Sequence, residues 1–72
     1  MNLGIELKVI RQKSFMSQES FAKELGVSFT TVNRWETGKS LPSYKAMKLI
    51  DNFCKVHDIE FDISQMLTED DT

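Results

Sequence analysis

The side chains able to do chemistry in this 72-residue chain are few. One cysteine (Cys54) and one histidine (His57) cannot build a disulfide framework or a cysteine/histidine zinc site, and they leave no Ser/His/Asp or Cys/His triad of ordinary composition. A phosphate-cradling loop is also missing, so the expectation is no enzyme, no metal and no cofactor. What remains is hydrogen-bonding chemistry. If Val32 and Trp35 face a core on a helix, the 3.6-residue period turns Thr30, Asn33, Arg34 and Thr37 toward solvent, a polar face uncrowded by acids. Alone, such a face reads as a solvated helix surface or as a recognition surface.

The elements that position this face are legible in the spacing. Leu3, Leu7 and Ile10 follow the i, i+4, i+7 spacing of a helix over Leu3 to Lys13, with Ile5 and Val9 widening the stripe. Ser17 caps a second helix that has Glu19 in its first turn, Met16 and Phe21 as a hydrophobic staple, Phe21, Ala22 and Leu25 as its buried stripe, and Gly26 as its end. Ser28 caps a third, with Val27 and Val32 repeating the staple; it runs to about Trp35 or Glu36 and is closed by Gly38. After Leu41-Pro42, Ser43 opens a fourth from Tyr44 to about His57, with Ala46, Met47, Ile50, Phe53 and Cys54 inward. The end is ambiguous: Ile59, Phe61 and Ile63 alternate like a strand, whereas Ile59, Ile63, Met66 and Leu67 fit a helix. A short fifth helix capped by Asp62, with Gln65 completing a capping box, is preferred. The expectation is an all-α bundle of four to five helices forming one domain over residues 1–67, with 68–72 a frayed acidic tail.

Charge is divided along the chain. Met1 to Lys55 carries all nine Lys and Arg against five acids, a net of +4, while Val56 to Thr72 carries six acids and no Lys or Arg. The sequence pI of 5.2 therefore describes neither part. There is no run of about 18 apolar residues and no signal-peptide pattern at the N-terminus, so the reading is a soluble, cytoplasmic protein with no membrane role.

Two capped helices joined by a three-residue turn with glycine are the pattern of a helix-turn-helix, here about residues 17–36. The residues sharpen this. Ser17-Gln18, Phe21-Ala22, Leu25-Gly26-Val27-Ser28, Val32, Trp35-Glu36, Gly38-Lys39 and Pro42 resemble the Xre/Cro helix-turn-helix family, which includes phage repressors. With Leu7, Ile10 and Arg11 before and the Tyr44 helix behind, the resemblance covers about residues 3–57 and implies a lambda-repressor-like DNA-binding domain.

In such motifs the second helix lies in the DNA major groove, which makes Phe29, Thr30, Thr31 and Arg34 the candidates for base contact. Arg34 could bond guanine O6 and N7 bidentately, and the Thr30 and Thr31 methyls and the Phe29 ring could meet thymine methyls. Phe29 has a second reading, packing on the protein, since family members carry a polar residue there. Gln18, Ser28, Asn33, Lys39, Ser43 and Lys45 are candidates for phosphate, with Lys13 beside them, because helix N-termini offer free N–H groups and positive dipole ends. The resemblance implies a structural salt bridge between Arg11 and Glu36. Trp35 reads as core rather than a stacking platform, Cys54 as a buried hydrophobe rather than a redox sensor, and His57 as a dipole partner.

The expected function is sequence-specific double-stranded DNA binding by a transcriptional regulator, a repressor by preference, acting as a homodimer on a palindromic site. Dimerisation would draw on apolar residues from about Phe53 to Leu67, and the acidic C-terminal segment could instead meet a protein partner. An antitoxin, a restriction-modification controller and an interaction adaptor on a helix-turn-helix scaffold are the alternatives.

Overall fold

The computed structural model describes residues 3–61, which form four α-helices and no strand. Helix α1 is Leu3–Lys13, α2 Gln18–Leu25, α3 Phe29–Glu36 and α4 Tyr44–Val56. Serine opens three of them. Ser17, Ser28 and Ser43 hold extended backbone angles, and each hydroxyl accepts a hydrogen bond from the amide three residues on, at Ser20, Thr31 and Ala46. Each cap satisfies an otherwise unpaired amide, a contribution of about 1 kcal/mol.

All four helices end alike. One residue turns left-handed and donates its amide to the carbonyl three back, while the next amide reaches the carbonyl five back. Phe15, Gly26, Gly38 and Asp58 are those residues, at φ of 57°, 78°, 78° and 55°. Glycine has no Cβ to clash in that conformation, and aspartate visits it readily. Phenylalanine has neither advantage.

Helices α2 and α3 have eight residues each, too short to persist alone in water, so packing must supply their stability. Leu7 and Ile10 of α1, Phe21, Ala22 and Leu25 of α2, Val32 and Trp35 of α3, and Ala46, Ile50, Phe53 and Cys54 of α4 form one buried core. Helix α3 packs on both α1 and α2, and α2 also meets α4. Phe21 and Phe53 join α2 to α4 edge to face, with ring centroids 5.1 Å apart. Met16 and Val27, the staple residues, pack partly buried against this core.

Two expectations change. Ile5 and Val9 do not widen the buried stripe of α1: they are exposed, and Gly4 is buried instead. Helix α1 packs chiefly on α3, and one neighbour covers only the narrow face of Leu7 and Ile10. At the other end, residues 59–61 have no regular structure, and Ile59 and Phe61 pack partly buried on the core. The helix expected from Asp62, Gln65 with it, Ile63, Met66 and Leu67, and the tail 68–72 lie outside the described residues.

Candidate nucleic-acid interface

Helix α3 is held between two neighbours with Val32 fully buried and Trp35 5% exposed, which disposes of Trp35 as a stacking platform. Its opposite face is open. Thr30 and Arg34 are exposed, and their side chains make no hydrogen bond or ion pair with another described residue. Phe29 is 51% exposed at the first position of α3, so it is not tucked into the core. Thr31 is half-buried, and its hydroxyl lies 2.8 Å from that of Ser28, which commits it to the helix cap.

Behind this face runs a connected polar network. Arg11 Nε donates to Glu36 Oε2 at 2.7 Å and Nη2 to Oε1 at 3.0 Å, while Nη1 donates to the Met16 carbonyl at 3.0 Å. Gln18 Nε2 donates to Glu36 Oε1 at 3.0 Å, and Asn33 Nδ2 donates to Gln18 Oε1 at 3.3 Å. One carboxylate thus collects α1, the start of α2 and α3. Gln18 and Asn33, expected on phosphate, have their side-chain amides drawn into this network. The backbone amide of Gln18, at the first position of α2, has no hydrogen-bond partner among the described residues.

Burial pushes the Glu36 carboxyl up, since its side chain is only 3% exposed, but hydrogen bonds from Arg11 and Gln18 and the charges of Arg11 and Lys8 outweigh that. The net result is a Glu36 held below the ordinary carboxylate value. Arg11 is raised, chiefly by its hydrogen bond to Glu36. The pair is ionised and bidentate throughout the neutral range.

Lys39, Ser43 and Lys45 are exposed beyond α3 and at the opening of α4, where the Ser43 hydroxyl accepts from Ala46. The remaining reactive groups are spent elsewhere. Cys54 is 2% exposed, and burial, helped by the Asp51 charge, pushes its thiol up to about 11. The His57 ring lies against Phe53 with centroids 4.2 Å apart, and its Nε2 stands 3.8 Å from Glu24, beyond hydrogen-bond range. Among the described residues no cluster of three or more His, Cys, Asp or Glu could hold a metal, and no helix is long and apolar enough to cross a membrane.

Four helices, a glycine turn between two capped short ones and an open polar face on the second define a helix-turn-helix protein. A family model described as helix-turn-helix matches residues 7–61, and the chain belongs to that family in its Xre/Cro-like form. It is similar to the HTH-type transcriptional activator BcrR of Enterococcus faecalis, being 34% identical over 56 residues. That match covers 78% of this chain but 28% of the relative, so the chain spans little more than a quarter of its length. No solved structure matches.

Proposed function

We propose that the chain is a sequence-specific regulator of transcription that lays α3 in the DNA major groove. The observation that carries this is the uncommitted face of α3: Arg34 and Thr30 exposed and unbonded, Phe29 half exposed, on a helix whose back is locked by Val32, Trp35 and Glu36. Arg34 reads guanine through a bidentate fork, while Phe29 and the Thr30 and Thr31 methyls suit thymine. The Gln18 backbone amide, Ser28, Lys39, Ser43 and Lys45 hold phosphates around it and set the register, while Asn33 holds Gln18 in place behind them.

One helix of this length reads only a few base pairs, so the reading includes a homodimer on two half-sites roughly 34 to 36 Å apart. Phe53 and Cys54 are consumed by the chain's own core, which leaves Val56, 72% exposed, as the described apolar residue from that stretch open to a second copy. Repression is the preferred sign, because occupancy of an operator suffices for it, whereas activation needs a further surface that meets polymerase. A regulator of this kind works in the cytoplasm, on the chromosome.

The test is selection of bound sequences from random duplex DNA at one fixed salt concentration. An enriched inverted repeat is expected; no enrichment, with no salt-sensitive binding, would overturn the reading and turn attention to a protein partner.

A further inference from the structure

Phe15 occupies the wrong conformation for its residue type and buries nothing there. It is 96% exposed, at φ +57°. The other three helix ends show how the same turn is built at low cost, with Gly26, Gly38 and Asp58 in the left-handed position and the same pair of amide bonds. At Phe15 the Cβ strain is accepted, and among the described residues no ring contact or core burial offsets it. A strained, solvent-facing aromatic on an otherwise economical scaffold points to a contact made outside the chain.

The neighbours of Phe15 say what that contact is. Exposed Lys13 stands two residues before it, and Ser17, the cap of α2, and Gln18, whose backbone amide has no partner among the described residues, follow two and three residues after. The turn is also fixed relative to the reading helix, because a single guanidinium, that of Arg11, holds the Met16 carbonyl at 3.0 Å and Glu36 at 2.7 Å. Phe15 therefore rides on the rim of the surface assigned to DNA, at a set offset from α3. The geometry points to Phe15 as a backbone-binding residue that packs its ring on the deoxyribose of the strand flanking the half-site, beside a phosphate held by Lys13 and the start of α2. The contact is apolar and non-sequence-specific, and it rests on the proposed DNA-binding reading.

Two substitutions test it, Phe15→Gly and Phe15→Asn, both suited to the left-handed position. Relief of strain raises Tm, by about 4 to 8 °C for glycine. Loss of the ring weakens binding to the selected duplex by about tenfold, with the salt slope unchanged because no charge is lost. Hydroxyl-radical footprinting, which reports sugar accessibility, shows loss of protection at the flanking nucleotides in both variants while the preferred base sequence stays the same. If both variants bind and footprint like the wild type, the proposal falls and the DNA-binding reading stands. A wild type that binds no duplex at low salt sinks both.

Discussion

Arg11 and Glu36, twenty-five residues apart in sequence, meet through two parallel hydrogen bonds, and the third arm of the same guanidinium holds the carbonyl of Met16. That one side chain sets the angle between α1, the opening of α2 and the far end of α3. Helix α3 is thus fixed by a salt bridge at its C-terminus and a serine cap at its N-terminus, with Val32 and Trp35 packed between.

Removing one partner should therefore cost more than the pair contributes. Arg11→Ala leaves Glu36 almost fully buried with Gln18 as its remaining hydrogen-bond donor, and about 3 kcal/mol of stability should be lost. The double replacement Arg11→Met with Glu36→Leu should recover most of it, since no charge is then stranded. Urea melts of the single and double variants check this; an equal loss in both would show that the bond itself, rather than the uncompensated charge, carries the effect.

Acid should dissolve the same relationship. The folded Glu36 carboxyl lies below its unfolded value, so its contribution is fully present above that unfolded value, about 4.3, and is lost as pH falls through the folded one. Glu36→Gln lacks the titration. The Tm gap between wild type and Glu36→Gln should hold from pH 7 to about 5 and then close on acidification; a gap independent of pH down to 2 would refute the assignment.

The residues that repeat simple patterns were readable in advance, and those whose geometry depends on distant partners were not. Serine caps, glycine ends and the Val32–Trp35 spacing act locally, so Ser17, Ser28, Ser43, Gly26 and Gly38 announced the helix ends. Gln18 and Asn33 look like free polar groups until the fold brings Glu36 beside them, from eighteen residues away in the case of Gln18. Ile5 and Val9 fit the periodicity of α1, yet among the described residues no neighbouring helix reaches far enough around to bury them. The turn after α1 carries no glycine, so nothing local marked Phe15 as left-handed.

Ser28 combines capping with a place on the face proposed to meet DNA, and charge can separate the two. Ser28→Ala should lose about 1 kcal/mol, because the Thr31 amide loses its acceptor. Ser28→Asp keeps the cap and meets the helix dipole well, so stability should stay near wild type while the new negative charge weakens duplex binding at least about tenfold. Binding by Ser28→Asp equal to wild type would move the phosphate surface away from the start of α3.

The Cys54 thiol should be inert while the chain is folded. Its value of about 11 leaves little thiolate at pH 8, and burial blocks access as well. Alkylation by iodoacetamide should be slow in buffer and rise in step with unfolding as urea is added. Rapid native-state reaction would mean that α4 opens locally. Cys54→Ser, which buries a hydroxyl in an apolar site, should cost about 1 to 2 kcal/mol.

Arg34 gives the sharpest separation of base reading from phosphate holding. Its side chain has no partner within the described fold, so Arg34→Ala should leave Tm within about 1 °C while raising Kd on the selected duplex by roughly ten- to a hundredfold. The loss should fall at one base pair in each half-site, where selection with the variant shows relaxed preference. Arg34→Lys keeps the charge but loses the planar fork, so it should restore general affinity without restoring that preference. Lys39→Ala and Lys45→Ala should behave in the opposite way, weakening all sequences about equally and lowering the salt slope by about one each. If Arg34→Ala instead weakened every sequence alike and flattened the slope, Arg34 would be a phosphate contact, and base reading would pass to Phe29, Thr30 and Thr31 at the start of α3.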